Sequence, residues 1–397
     1  MKRALDGIRV LDMGSYIAAP YCCMQLADHG AEVIRVEPPM GKVDRQVGPF
    51  TAEGLSVPMA LGHQRNKKNI TLDQRSEEGK RLLDELIKKA DILVHNSPKG
   101  TEEAAMLDYE RLSALNPALV VVAVSGFGQY GPYAERPCFD AIATAMSGAM
   151  SFTGYPGDPP LRPALSYIDF NTGARAALGA MIAYHERMIS GKGQLVDIAL
   201  FDVAFSLIAA SGVGFEYNVL GEVRKAIGNG GFYAYCCSAP AKDGYLLINV
   251  VGNGMWRRIC QLLGREEMIK DARFKDNESR YRNYTAIDPV IEEWIKDKTR
   301  GEAMALLDKA GIPCGPVNDV PAALAEPQVG AREMLVDIDY PGVGKVPVHG
   351  VEIKLSRTPG KIARRASFLG EDNEEVYGGL LGLGLDDLAR LKQEKTI

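Results

Sequence analysis

Leu119-Val120-Val121-Val122-Ala123-Val124, running on into Ser125-Gly126-Phe127-Gly128-Gln129-Tyr130-Gly131, decides the fold. Its first six residues are apolar without interruption and lack the polar alternation of a half-exposed strand. Such a run predicts a strand buried on both faces, the environment of a parallel sheet covered by helices. Toward the N-terminus, strand signals at Ile8–Leu11, Glu32–Val36, Asn69–Leu72 and Ile92–His95 alternate with helical segments at Pro20–His29, Ser76–Ala90 and Tyr109–Leu115. Alternation of this kind implies βαβ units, hence an α/β fold. Ligands of such sheets bind beyond the strand C-termini, so the loops starting near Gly14, Glu37, Asn96 and Ser125 are the ones to watch.

Gly126 to Gly131 spell a G-x-G-x-x-G, but a dinucleotide fingerprint needs a helix opening at the third glycine and an acid about 20 residues on. Pro132 and Pro137 break that helix, and no acid lies between Asp140 and Asp158. No NAD is expected; a glycine turn that lets backbone approach a neighbour closely is. Further on, Ser166-Tyr167-Ile168-Asp169-Phe170-Asn171-Thr172-Gly173 precedes an Ala-rich helical run, Ala174 to Ile189. Asp169 therefore stands at or just before a helix N-terminus, where free N–H groups and the macrodipole favour a carboxylate anion. Two readings stay open there. Asp169 caps the helix, as Asn171 or Thr172 could equally do, or it is a nucleophile placed to attack a thioester carbonyl.

Leu195–Ile198 reads as one more strand and Phe201–Ala210 as a helix, after which the pattern changes. Residues 224–243 are rich in Gly, Tyr and Cys, a strand follows at Tyr245–Val250, and helices follow near Met255–Leu263, Ile287–Lys296 and Gly301–Ala310. This predicts a second, smaller α+β domain. Gly252-Asn253-Gly254, directly after the strand, reads as a flexible tip, a plain turn unless other features give it work. The tail beyond Ala331 carries short strands and a last helix near Leu385–Lys392.

Composition excludes several classes. The chain has 397 residues, 46% hydrophobic and 24% charged, which suits a globular protein of two or three domains. A net charge of -5 gives no support to nucleic-acid or polybasic membrane contacts. The apolar, uncharged stretch Val203 to Phe215 is too short for a bilayer, and Asp6 and Arg9 interrupt any leader-like apolar region. The seven cysteines show no disulfide or metal-ligand spacing, and His29, His63, His95, His185 and His349 are scattered. A cytoplasmic protein with reduced thiols and no bound metal is expected. Arg65-Asn66-Lys67-Lys68 reads as a solvated face or a set of phosphate contacts.

Several segments in order resemble the class III CoA-transferases, the CaiB/BaiF family. They include Leu5-Asp6-Gly7-Ile8-Arg9-Val10-Leu11-Asp12, Ala18-Ala19-Pro20, and Gly30-Ala31-Glu32-Val33-Ile34-Arg35-Val36-Glu37-Pro38-Pro39. Asn66-Lys67-Lys68, the Gly126 to Gly131 loop, the Asp169 segment, Gly191-Lys192-Gly193-Gln194, Gly311-Ile312-Pro313-Cys314-Gly315-Pro316-Val317 and Leu369-Gly370-Glu371 continue the match nearly end to end. The resemblance implies transfer of CoA from an acyl-CoA to a carboxylic acid, with Asp169 as the aspartyl nucleophile and no need for a metal. It implies that Gly252, Asn253 and Gly254 cover the intermediates. It also places Asn66, Lys67, Lys68 and Asn96 on CoA. Lys99 and Arg136 stand near positions where relatives carry other cations. Tyr16, Ile17, Tyr233, Tyr235 and Trp256 are the implied acyl-pocket lining.

For architecture, the resemblance implies a large Rossmann-like domain from both termini (1–224 with 326–397) and a small domain at 225–325. It further implies an interlocked, ring-shaped homodimer. The racemase branch of the fold would need a His where this chain has Phe139. Ile17 replaces the Gln of formyl-CoA transferases that use oxalate, and the glycine loop resembles that of carnitine CoA-transferases. The substrate acid stays open.

Overall fold

The computed structural model describes residues 2–231 and 233–397. Strands β1 (Arg9–Asp12), β2 (Glu32–Glu37), β3 (Lys67–Thr71), β4 (Ile92–His95), β5 (Val120–Ser125) and β6 (Leu195–Ala199) form one sheet in the order β3-β2-β1-β4-β5-β6. Every pairing in it is parallel. The order reverses direction between β1 and β4, and the crevice beyond the strand ends at that point is where such sheets bind ligands.

The uninterrupted apolar strands are explained by helices on both faces. On one face, Ile34, Val36, Leu93 and Val121 pack with Leu82, Leu83 and Leu86 of the Glu77–Lys88 helix. On the other, Val10, Val94, Val122 and Val124 meet Ala19, Cys23 and Leu26 of the Ala18–Asp28 helix and Ala176 and Ala180 of the Tyr167–Ser190 helix. Each fully buried aliphatic side chain of this kind contributes roughly 1.5–3 kcal/mol. The two helices on that second face come very close. A Cβ on Gly173 would lie 2.5 Å from the carbonyl oxygen of Ala18, so only glycine fits one turn beyond Asp169.

The chain divides into two compact units, Met1–Ala149 with Arg162–Glu222 and Pro327–Ile397, and Met150–Leu161 with Val223–Glu326. Residues 150–161 thus belong with the smaller unit, where Gly228 N–H bonds the Gly154 carbonyl (2.8 Å) and Asn229 bonds the Tyr155 hydroxyl (3.2 Å). The smaller unit holds an antiparallel sheet of β7 (Tyr235–Ala241), β8 (Gly244–Val250) and β9 (Cys314–Pro316) over a core of Trp256, Phe274, Ile287, Ile291 and Leu307. In the larger unit, β10 (Leu335–Tyr340) and β11 (Gly344–His349) make a hairpin. The C-terminal segment also guards the edge strand β3. Asp372 accepts from Asn69 N–H (2.7 Å), Asn373 from Thr71 N–H (2.9 Å), and the Tyr377 hydroxyl donates to the Thr71 carbonyl (2.8 Å). These contacts occupy groups that would otherwise template another strand. All seven cysteines are free, and among the described residues no single helix is long and apolar enough to cross a membrane.

An ion network lies beneath the loop that follows β1. Arg35 Nε donates to Glu37 (2.8 Å), its Nη2 donates to Asp44 (2.8 Å), and its Nη1 stands 3.7 Å from Asp12. Lys67 donates to Asp12 (2.8 Å), the Pro20 carbonyl (2.7 Å) and Gln64 (2.9 Å). Lys42 donates to the carbonyls of Met13 and Gly14, and Glu37 also receives Arg45. Burial would raise the Asp12 carboxyl, but Lys67 and Arg35 outweigh it and hold the group below its ordinary range. Lys67→Met should therefore strand a buried anion and cost about 3–5 kcal/mol. Urea unfolding would check this, and a loss near zero would show the network to be dispensable.

Candidate active site

Asp169 lies in the first turn of the Tyr167–Ser190 helix, whose N-cap, Ser166, makes no side-chain cap bond. The cap is supplied from elsewhere. Buried Asp140, opening the Asp140–Met146 helix, accepts from the N–H groups of Ile168 (2.8 Å) and Asp169 (3.2 Å) through one carboxylate oxygen. Asn171 donates instead to the Tyr167 carbonyl (2.9 Å). Asp169 is thus released from capping, and among the described residues no donor is bonded to its carboxylate. Burial, and then the negative charge of Asp140, push its carboxyl up to about 7. In the sequence, Asp140 marks only the start of the acid-free stretch after the glycine motif. Its position before the apolar run Ala141 to Met146 was the available signal of a helix start.

Asp169 faces a cavity of about 280 Å³ at the sheet's reversal point. Tyr16, Ile17 and Ala18 enter it from the loop after β1, Asn96 and Lys99 from the loop after β4, and Arg136, Cys138 and Phe139 from the segment after β5. The glycine motif shapes this wall: a Cβ on Gly126 would stand 2.3 Å from that of Cys138. The Tyr16 and Phe139 rings meet edge to face, 5.5 Å between centroids. Arg136 lies against the Tyr133 ring at 5.4 Å and, among the described residues, has no carboxylate partner. Lys99 donates to the Gln129 carbonyl (2.7 Å). Asn96 reaches the cavity, but its amide is engaged at both ends by the backbone of Ser15 (2.8 Å each).

Other expected site residues are placed elsewhere. Asn66, in left-handed backbone, binds Asp28 (2.7 Å) and the backbone of Lys361, Ala363 and Arg364, so it pins the C-terminal segment. Lys67 is the buried partner of Asp12, and Lys68 is paired with Glu32 (2.6 Å) and Glu375 (2.8 Å). Both lysines border a different cavity, of about 420 Å³, beside Tyr340 and Phe368. Tyr235 and Trp256 are not pocket walls but core of the smaller unit, with the Tyr235 hydroxyl on Asp288 (2.7 Å) and the indole N–H on the Met268 carbonyl (3.3 Å). Tyr233 is exposed. Gly252, Asn253 and Gly254 are not a free tip. They open the Gly252–Leu263 helix, with Gly252 N–H bonded to Asn277 (2.8 Å) and Asn253 bonded by Arg280. Among the described residues, no group of side chains has the makings of a metal site.

Comparison with known proteins identifies the family. Residues 5–373 match CoA-transferase family III. The chain is 36% identical to a succinyl-CoA–D-citramalate CoA-transferase of Chloroflexus aurantiacus, covering 100% of this chain and 98% of that protein. It is 32% identical to a formyl-CoA:oxalate CoA-transferase of Streptomyces avermitilis, covering 100% of each. A crystal structure of a CaiB/BaiF family protein from Brucella suis superposes with a TM-score of 0.83 at 34% identity, over 96% of this chain and 100% of that one. With a family match over residues 5–373, relatives of 32–36% identity along the whole chain and the same parallel-sheet fold, this protein is a member of CoA-transferase family III.

Proposed function

We propose that the protein moves CoA from an acyl-CoA donor to a carboxylic acid acceptor, with Asp169 as the covalent carrier. The observation that carries this reading is the Asp169 carboxylate itself, unbonded in the 280 Å³ cavity and made more basic by burial. In the first half-reaction its oxygen attacks the thioester carbonyl, and collapse of the tetrahedral adduct expels CoA thiolate and leaves a mixed anhydride. The thiolate attacks the aspartyl carbonyl of that anhydride, forming an aspartyl-CoA thioester and releasing the donor acid as its carboxylate. The acceptor carboxylate then repeats these steps in reverse order. No proton is gained or lost overall, because carboxylates and thiolate exchange one activated carbonyl. Arg136 and Lys99 are cations at the cavity wall suited to the phosphates of CoA. A racemase would need a second base, and this cavity has Phe139 in its wall and no lining histidine among the described residues.

The acceptor is an acid small enough for the Tyr16–Phe139 end of the cavity. The two relatives named above are a citramalate and an oxalate CoA-transferase, which makes short dicarboxylates the first acids to screen. A homodimer is part of this reading. Leu178, Ile182, Met188 and Ile189 of the Tyr167–Ser190 helix are all exposed, an apolar surface that a second copy would cover. Light scattering should then give twice the chain mass, and Leu178→Glu with Ile182→Glu should reduce it to monomer. A monomeric wild type would refute the dimer.

Asp169→Asn should abolish transfer, and hydroxylamine added with acyl-CoA should convert Asp169 of the wild type, but not the variant, to a hydroxamate detectable by mass spectrometry. Turnover retained by the variant would overturn the nucleophile. Because only the anion attacks, kcat/KM of the wild type should fall as pH drops through about 7. The same shift makes a stability prediction free of any assay. The folded carboxyl is raised from 3.8, so its charge destabilises the fold fully above pH about 7, and this penalty vanishes below about 3.8. Asp169→Asn should melt higher than wild type at about pH 8, with the gap closing toward about pH 4.

A further inference from the structure

Tyr16 has φ of 61°, the left-handed region that a bulky aromatic residue seldom occupies without external restraint. The restraint is visible on both sides of the residue. Its N–H donates to Asp44 (3.1 Å), itself fixed by Arg35, while the preceding Ser15 is held at both backbone groups by Asn96. Its carbonyl meets Nε2 of His63 at 2.7 Å. A carbonyl only accepts, so Nε2 carries the hydrogen. His63 is 2% exposed, and burial, then the charge of Lys67, push its conjugate acid down to about 3, which leaves a neutral ring as permanent donor. The same ring lies edge-on to Phe170, the neighbour of the nucleophile, at 6.5 Å. One imidazole therefore touches both sides of the cavity: the turn that delivers Tyr16, Ile17 and Ala18, and the helix turn that delivers Asp169.

We propose that His63 is a positioning residue for CoA transfer, locking the left-handed turn at Tyr16 so that the cavity wall holds the acyl carbonyl in line with Asp169. This rests on the transfer reading above. The five histidines are scattered in the sequence and His63 is a satisfied core residue, but its acceptor is the residue of the site in left-handed backbone. Loss of the donor would let Tyr16 relax to negative φ and move the wall, which alters attack geometry more than ground-state binding.

The test uses the full-length chain with His63→Phe, which keeps a ring against Phe170 but cannot donate, and His63→Gln, whose amide restores a donor. With the best acyl-CoA and acid pair of the wild type, His63→Phe should lower kcat about 10- to 100-fold with little change in KM. His63→Gln should recover most of it, and Asp169 hydroxamate formation should slow in parallel with kcat. Crystal structures of both variants supply an arm independent of activity, in which φ of Tyr16 should turn negative in His63→Phe and stay positive in His63→Gln. Equal loss of kcat in both variants, tracking lowered melting temperature, would reduce His63 to a core residue. A positive φ retained in His63→Phe would overturn the proposal outright. A wild type that forms no hydroxamate would instead sink the transfer reading, leaving the Tyr16 geometry to decide the lock.

Discussion

Arg35 holds together the floor on which one wall of the cavity is built. Its guanidinium binds Glu37 on its own strand and Asp44 beyond it, and approaches Asp12 at the end of β1, all with little exposure to water. Taking these charges out of water is costly, and the cost is met only because every charge has a close partner. The result is a fixed floor under the loop after β1: Asp44 reaches Tyr16, Lys42 takes the carbonyls of Met13 and Gly14, and Lys67 ties Asp12 to the first helix. A loop at a sheet's ligand crevice is usually the mobile part of such a fold. Here it is among the most constrained.

The opposite rule applies to Asp169. Asp12 and Glu37 are held as stable anions by cations and N–H donors, whereas Asp169 is deprived of both and faces another carboxylate. The fold pairs these buried acids and leaves the Asp169 carboxylate without a hydrogen bond among the described residues. Asp140 makes the distinction possible. By taking the N–H groups of Ile168 and Asp169 it occupies two donors at the helix start and leaves the Asp169 carboxylate without them.

How far the sequence could be read depended on whether a residue's role is local. The parallel strands were legible because an unbroken run such as Leu119 to Val124 has few other uses, and Asp169 because a helix start is a local event. Strand β7 was not, since Tyr235–Ala241 includes two cysteines, a serine and a proline and owes its place to pairing with β8. Lys67 looked like solvent-facing charge because its partner, Asp12, is 55 residues away. Tyr235 and Trp256 looked like pocket walls because aromatic type alone does not separate a wall from a core. The left-handed turn at Tyr16 had no signal, as it is imposed by side chains from three other segments.

The guarding of β3 has a consequence for how the chain is made. The strand is complete by residue 71, yet the groups that occupy its outer edge come from Asp372, Asn373 and Tyr377. During synthesis from the N-terminus, the edge stays bare until about 300 further residues have left the ribosome, among them the whole smaller unit. Until then the nascent larger unit carries an open strand edge, of the kind that templates pairing with another strand.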